Sequence, residues 1–114
     1  MPSLEQSQIA TCRRFGVNPI PAPPDLKVGI ALNVKENLVP LYAIRYDLVG
    51  DTSGWYIWRG EEVPDDPDFF VPLCISHLDS WCPDVLPYLQ LPPGWRVILA
   101  PGYEDVWEDT KLLD

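Results

Sequence analysis

The alternation of apolar and polar positions is clearest in the middle of the chain, between Asp51 and Glu62. The segment Trp55–Arg59, if extended, carries large apolar side chains on both sides: Trp55 and Ile57 on one, Tyr56 and Trp58 on the other. Gly54 and Gly60 interrupt the pattern before and after this segment. Because aromatic and β-branched residues favour strands and both faces are apolar, we predict that Trp55–Arg59 is an interior strand of a sheet.

Two weaker patterns of the same kind precede this strand. Leu26–Val34 and Val39–Val49 both alternate and predict strands, with a turn at Glu36-Asn37 between them. Gly50-Asp51 then provides a turn into Trp55–Arg59. Three successive strands with short connections predict an antiparallel meander.

A helical region is predicted after the central strand. Phe69–Ile75 is apolar but has no further pattern, and we assign it to no element. Ser76, with Asp79 three residues later, has the spacing of a capping box and predicts the start of a short helix. Asp84 predicts a second short helix, so that the region Ser76–Leu89 packs against a face of the sheet.

The last third of the chain predicts a hairpin. Trp95–Ala100 alternates like the central strand. Pro101-Gly102 has the residue order that a type II turn prefers, so we expect Tyr103–Trp107 to return antiparallel.

The N-terminal part of the chain has a different character. Residues 3–15 predict a short amphipathic helix that ends at Gly16, and residues 17–25 contain four prolines, which favour an extended strap or a proline-rich ligand segment.

A chain of 114 residues is long enough for one core, so we predict a single domain over residues 1–114. Residues 1–25 form its helix and proline-rich strap, and residues 26–114 its sheet-containing core. The predicted fold class is α+β: an antiparallel sheet of four to five strands with short helices packed on one face.

Charge is distributed unevenly along the chain. The net charge is −9, and it divides into +1 for residues 1–50 and −10 for residues 51–114. Such a negative field disfavours binding to nucleic acid and to anionic membranes and favours a basic protein partner.

Several features of the sequence bear on localisation. No apolar run is long enough to span a bilayer, and no signal peptide is recognisable. The three cysteines have no close-spaced pair, so we expect a cytoplasmic protein with reduced thiols.

Catalytic and metal motifs are incomplete, and we expect neither an enzyme nor a bound cofactor. His77 is the only histidine, and no nucleophile or phosphate-loop motif occurs. Cys74, His77 and Cys82 offer three soft ligands, whereas a structural zinc site needs four. The acidic run Asp65–Asp68 resembles a fragment of a calcium loop but lacks its glycine and its distal glutamate.

Tryptophans and paired carboxylates leave a second class of function open. Glu104-Asp105 and Glu108-Asp109 flank Trp107, and paired acids perform glycoside chemistry in other proteins. A small-molecule or carbohydrate-binding module would use exposed tryptophans, Trp58, Trp81 or Trp107, as a stacking platform. A third alternative is an accessory structural domain.

Six short segments together form a series that resembles a known family. They are Ser53–Glu61, Asp68–Phe70, His77-Leu78, Leu86–Leu89, Leu91–Arg96 and Tyr103–Trp107. The series resembles bacterial immunity proteins of polymorphic toxin systems, of the immunity protein thirty-three type, and covers roughly residues 41–109, leaving the N-terminal helix and strap outside. The resemblance implies a non-enzymatic protein that binds and neutralises a cognate toxin, but it carries over no toxin-binding residues.

The charge pattern supplies a hypothesis for the binding surface. Two acidic segments contain the candidate partner-binding residues, which are Glu61, Glu62, Asp65, Asp66, Asp68, Tyr103, Glu104, Asp105, Trp107, Glu108 and Asp109. If the two segments lie at the same end of the sheet, they form one anionic patch for a basic protein partner such as a toxin effector. Tyr103 or Trp107 is then the candidate buried anchor.

Overall fold

A computed structural model of the chain describes residues 4–36, 38–47, 50, 52–60 and 69–109. These residues form two α-helices and six strands: α1 Leu4–Arg14, β1 Lys27–Ala31, β2 Leu41–Arg45, β3 Thr52–Arg59, β4 Phe70–Cys74, α2 Leu78–Trp81, β5 Trp95–Ala100 and β6 Tyr103–Glu108. Three 3₁₀ helices, Leu32–Lys35, Ile75–His77 and Pro83–Tyr88, complete the elements. The fold is therefore α+β.

The six strands form one mixed sheet in the order β4-β1-β3-β2-β5-β6. β1 and β3 are parallel, and every other neighbouring pair is antiparallel. The prediction of four to five antiparallel strands is therefore wrong in strand number and in one pairing. The predicted β1–β2–β3 meander is also wrong, because β3 lies between β1 and β2.

The connection between β1 and β2 explains this difference. A turn at Glu36-Asn37 would have produced a hairpin, but β1 is followed directly by the 3₁₀ helix Leu32–Lys35. That helix docks on the end of β3: the Asn33 side-chain amide donates to the Arg59 carbonyl at 2.8 Å and accepts from the Arg59 N–H at 3.1 Å. The connection is long enough for β2 to lie two positions away from β1 in the sheet, and β3 occupies the position between them.

β3 is an interior strand, as predicted, with β1 on one side and β2 on the other. Trp55 and Ile57 are buried on one face of the sheet, where the Trp55 indole N–H donates to the Leu89 carbonyl at 2.9 Å. Trp58 is buried on the opposite face. The alternation along this strand thus predicted both its position and its two faces.

Helices cover one face of the sheet, and this prediction is confirmed. The main core joins buried residues of β1, β3 and β5 to buried residues of α1, α2 and the Pro83–Tyr88 helix. α1 ends as expected at Gly16, which has a φ of +74°. Ser76, however, lies inside the 3₁₀ helix Ile75–His77, whose start has no side-chain cap, so the predicted capping box does not form.

The other face of the sheet carries no helix among the described residues. Its central cluster consists of Ala31, Ile44 and Trp58, against which Tyr42, Phe69 and Phe70 pack. We call it the open face. Phe70 belongs to β4, the strand that the sequence pattern did not predict.

Candidate functional site

A groove lies at the end of the sheet where β1, β3 and β5 finish and β6 begins. Its volume is about 550 Å³, and its lining residues are Glu36, Leu38, Val39, Leu41, Arg59, Asp84, Leu99, Ala100, Pro101 and Tyr103. We call it the end groove. Leu38, Val39 and Tyr103 expose 46%, 55% and 53% of their surface, so apolar area concentrates here. Apolar side chains left exposed together mark protein-binding surfaces more often than isolated ones do.

The last described residue before the first predicted acidic segment lies beside the end groove. Gly60, the last described residue before Glu61, donates its N–H to the Pro40 carbonyl at 2.9 Å, next to Val39 on the groove wall. Arg59 is held beside it: its Nε donates to the Val34 carbonyl at 2.8 Å, and its guanidinium lies 3.9 Å from the Asp84 carboxylate. Gly60 therefore lies at the groove, and the acidic run follows it in sequence.

Five of the predicted partner-binding residues lie outside the described residues. They are Glu61, Glu62, Asp65, Asp66 and Asp68. The described residues on either side of this run, Gly60 and Phe69, adjoin the ends of β3 and β4 that share an end of the sheet with Tyr103.

The other six candidates lie on or just after β6, and they divide between the two ends of the sheet. Tyr103 and Glu104 begin the strand at the end groove, whereas Glu108 and Asp109 lie opposite Trp95 and Gly94 at the far end. Six residues of strand span roughly 17 Å. The structure thus brings Tyr103, Glu104 and Asp105 towards the end groove and takes Glu108 and Asp109 away from it.

Two of the β6 carboxylates are already paired within the chain. Glu104 accepts from the Arg14 guanidinium at 2.7 Å and from the Tyr88 hydroxyl, which lowers the pKa of Glu104. Burial and this hydrogen bond together raise the pKa of Tyr88 to about 12. Asp109 accepts from the Arg96 guanidinium at 2.9 Å. These two carboxylates tie β6 to the rest of the fold and contribute less free charge than the sequence indicates.

Asp105 and Glu108 are exposed and make no ion pair in the described part of the chain. The Tyr103 hydroxyl donates to the Asp105 carboxylate at 3.4 Å, and the nearby negative charge raises the pKa of Tyr103. Trp107 is half-buried on the open face, opposite Arg96. Of the two predicted anchors, Tyr103 is therefore the more accessible.

The open face contains a second concavity, of about 660 Å³, which we call the aromatic cavity. Its lining residues are Ile44, Tyr46, Asp47, Thr52, Gly54, Tyr56, Trp58 and Phe70. The Tyr56 ring stands edge-on to both Tyr46 and Phe70, at centroid distances of 5.5 and 5.3 Å. The Trp58 indole N–H is buried without an acceptor among the described residues. A cavity of this size and lining has the dimensions of small-molecule sites.

The three tryptophans of the predicted stacking platform do not meet. Trp58 stacks on Tyr42 at 5.2 Å on the open face, while Trp107 lies three strands away on the same face, roughly 14 Å distant. Trp81 is on the helical face, where the Lys35 ammonium lies 4.0 Å from its ring centroid. Of these three tryptophans, Trp58 lines the aromatic cavity.

The buried cysteines do not favour a reactive thiolate, and the described residues provide no cluster of metal ligands. Burial raises the pKa of the Cys12 and Cys82 thiols, which disfavours the reactive thiolate. The described ranges contain no group of three or more His, Cys, Asp or Glu side chains placed to hold a metal ion. They also contain no helix long and apolar enough to cross a membrane.

Sequence reasoning missed the apolar walls of the end groove. Val39 is the first residue of the predicted strand Val39–Val49 and Leu38 precedes it, whereas β2 begins at Leu41 and leaves both side chains exposed. The signal was local: Pro40 lacks an N–H for strand pairing, which argues against a strand running through it.

Comparison with known proteins gives one family. The model of the Imm33-like domain family matches residues 7–109. The match begins inside α1, so the helix and the proline-rich strap belong to the family domain, and the expectation that they lie outside the resemblance is wrong. No curated protein and no solved structure matches the chain.

Proposed function

The chain belongs to the Imm33-like domain family, and from this premise we propose that it is a non-enzymatic immunity protein that binds and neutralises a cognate bacterial toxin in the cytoplasm. Family membership over residues 7–109 is the observation that carries the proposal. Neutralisation by binding requires a surface with a buried anchor and a polar border rather than a catalytic centre.

We place the binding surface at the end groove. Tyr103, Leu38 and Val39 supply exposed apolar area that a partner would bury, and tyrosine is among the residues enriched at binding hot spots. The acidic run Glu61–Asp68 follows the groove wall in sequence, and Asp105 lies close to Tyr103. A basic toxin surface would therefore meet carboxylates around an apolar centre, which speeds association and improves specificity.

Growth rescue tests this function. We expect co-expression of the wild-type protein with the toxin encoded beside it to restore bacterial growth. Failure of the wild type to rescue, with both proteins expressed, would refute the immunity function.

Single substitutions test the surface. Tyr103→Ala should weaken toxin binding by roughly 30-fold, since hot-spot truncations cost about 2 kcal/mol or more. Tyr46→Ala is the matched control, because Tyr46 is also an exposed tyrosine but lies on the open face, away from the end groove. Equal loss of binding from the two tyrosine variants would place the surface elsewhere.

Reversal of charge at Glu61, Glu62, Asp65 and Asp66 tests the acidic border and should reduce growth rescue. Full rescue by the charge-reversed variant would also place the surface elsewhere.

The aromatic cavity favours a second candidate function, the binding of a small apolar or carbohydrate ligand. Trp58, Tyr56 and Phe70 form its walls, and the unpartnered Trp58 N–H would gain an acceptor from a bound ligand. Titration with a glycan panel, followed by tryptophan fluorescence, tests it. A response that Trp58→Phe abolishes supports ligand binding, and no response to any glycan argues against the carbohydrate form.

A further inference from the structure

β6 is an edge strand with a usable row of backbone groups. It pairs with β5 alone, so its other side has no neighbouring strand in the described sheet. The Asp109 N–H donates to the Gly94 carbonyl at 2.6 Å, which fixes the alternation of the antiparallel ladder. In that register the N–H and C=O groups of Tyr103, Asp105 and Trp107 point towards β5. Those of Glu104, Val106 and Glu108 therefore point outwards.

The opposite edge of the sheet is protected. β4 pairs with β1, and the Ile75 N–H donates to the Leu26 carbonyl at 2.9 Å, which fixes the alternation on this side. Pro72 then occupies the central outward position of β4, where an N–H would otherwise be free. Edge strands are commonly blunted in this way against further pairing. β6 contains no proline or glycine, so of the two edges of the described sheet it is β6 that offers a continuous row of backbone groups to another strand.

We propose that β6 recognises its protein partner by strand addition: an extended segment of the toxin pairs with the outward groups of Glu104, Val106 and Glu108. The inference rests on the proposed function for the identity of the partner. Main-chain hydrogen bonds supply much of the affinity in such complexes, and alternate side chains supply the specificity.

Charge selects the chemistry of the added strand. The exposed Glu108 carboxylate projects to the helical side of β6, as does Glu104, whose charge is partly offset by Arg14, and Asp105 projects to the open face. Opposite charges placed across neighbouring strands attract, and like charges repel. The segment that pairs with β6 must therefore carry lysine or arginine at alternate positions.

The same argument disfavours a second copy of this chain as the occupant. Two antiparallel β6 strands centred on Val106 would place Glu104 of one copy opposite Glu108 of the other. Four carboxylates would then face each other in two like-charged pairs. Self-association through this edge is opposed, whereas a basic strand is favoured.

The edge is also continuous with the end groove, because Tyr103 both starts β6 and lines the groove. A segment paired with β6 would run directly past the Tyr103 ring. Strand addition would thus combine backbone hydrogen bonds along β6 with side-chain contact to Tyr103 at the start of the strand.

A peptide of alternating lysine and valine tests the inference without the toxin. Amide hydrogen exchange of the full chain, followed by NMR, is measured with this peptide and with a peptide of alternating glutamate and valine. We expect the lysine peptide to slow exchange at the outward amides of Glu104, Val106 and Glu108 at least fivefold. The inward amides of Asp105 and Trp107 should be protected in both states, and the glutamate peptide should protect none of the outward amides.

Two variants at one position separate backbone pairing from charge. Glu108→Pro removes one outward N–H and leaves the ladder to β5, whereas Glu108→Gln removes only the charge. We expect Glu108→Pro to weaken binding of the lysine peptide at least tenfold and Glu108→Gln to weaken it about threefold.

Unchanged exchange at the outward amides with the lysine peptide, or equal binding by Glu108→Pro and wild type, would overturn strand addition. Protection of these amides in the free protein at high concentration would identify a second copy as the occupant and overturn it as well. Growth rescue by the wild type is scored separately, so failure of the proposed function remains distinguishable from failure of this inference.

Discussion

Arg45 is the residue on which several parts of the chain converge. It is fully buried, and its guanidinium donates to five backbone carbonyl oxygens, those of Ile20, Pro21, Ser53, Leu89 and Leu91, at 2.8–3.2 Å. Burial lowers the pKa of Arg45 to about 10, so the side chain stays charged at neutral pH. The planar fork of five N–H donors suits this role, which a point charge cannot fill.

Replacement of Arg45 by methionine tests its contribution to stability. The buried carbonyls of Ser53 and Leu91 and the part-buried strap carbonyl of Ile20 would lose this donor, and each unsatisfied buried group costs about 1–3 kcal/mol. We expect Arg45→Met to lower the free energy of unfolding by about 3–5 kcal/mol in urea titration. Arg45→Lys should recover part of it, and a loss below about 1 kcal/mol for methionine would refute this role.

Glu104 links β6 to the helical face through Arg14 and Tyr88, and this link depends on pH. Because the folded-state pKa of Glu104 lies below its unfolded value, its stabilisation is present above about pH 4.5 and is lost as pH falls through the folded pKa. The pair is partly exposed, so we expect Glu104→Gln to cost only about 0.5–1 kcal/mol at pH 7.

The pH dependence distinguishes this role from a packing effect. The difference between wild type and Glu104→Gln in the free energy of unfolding should shrink as pH falls below about 4.5 and through the lowered pKa of folded Glu104, because protonation removes the carboxylate charge. Glu108→Gln replaces an exposed carboxylate on the same strand that makes no ion pair in the described part of the chain, so it should change the free energy of unfolding little across this pH range. A constant difference across the range would contradict the ion-pair explanation.

At the scale of elements, the sequence predicted best where the pattern was strong and local. The central strand, the β5–β6 hairpin and helix α1 follow from alternation, a Pro-Gly turn and a glycine stop, all readable over a few residues. β4 was missed because Phe70–Cys74 does not alternate clearly and contains Pro72, which is acceptable only at an edge. Its edge position depends on partners that are distant in sequence.

The parallel pairing of β1 and β3 has a similar cause. Whether β2 lies beside β1 or beyond β3 depends on contacts such as those of Asn33 with Arg59, which are 26 residues apart. Local turn signals at Glu36-Asn37 favoured a hairpin, and tertiary contacts override them.

Gly54 is required for the close pairing of β2 and β3. The Tyr46 N–H donates to the Gly54 carbonyl at 2.8 Å, and a Cβ at Gly54 would lie 2.0 Å from the Tyr46 carbonyl oxygen. Its φ of +88° is also unfavourable for other residues. We expect Gly54→Ala to lower the free energy of unfolding by about 3 kcal/mol or more, because backbone atoms must move to admit the methyl group.

Gly50→Ala is the matched control for this prediction. Gly50 also has a positive φ, of +62°, but a Cβ there would meet no atom of the described residues within 4 Å. The conformational cost alone is about 1–2 kcal/mol. Urea unfolding of both variants should therefore separate conformational strain from the steric clash, and equal losses would show that the contact with Tyr46 is unimportant.

At the scale of the molecule, the candidate site was predicted in its chemistry but only partly in its location. The sequence predicted an acidic C-terminal half and Tyr103 as a candidate anchor, and the structure places Tyr103 in the lining of the end groove. The pairing of Glu104 with Arg14 and of Asp109 with Arg96 was beyond sequence reasoning, because each pair requires the sheet register and the position of α1. Net charge alone therefore overstates the charge that a partner meets.

The remaining negative charge still governs how fast a partner arrives. The net charge of −9 combines −10 on residues 51–114 with +1 on residues 1–50. We therefore expect association with a basic toxin to be electrostatically steered. The association rate constant measured by stopped flow should fall about tenfold between 50 mM and 500 mM salt, because the screening length decreases with ionic strength. The dissociation rate constant should change much less.

Two double variants with the same change in net charge locate the steering surface. Glu61→Lys with Glu62→Lys reverses charge on the two residues that follow Gly60 in sequence, whereas Glu5→Lys with Asp25→Lys reverses it on exposed residues of α1 and the end of the strap. Because a local field acts over about one screening length, roughly 10 Å at 0.1 M salt, the first variant should reduce the association rate about fivefold and the second less than twofold. Equal reductions would mean that only the total charge matters and that the acidic run does not border the docking surface.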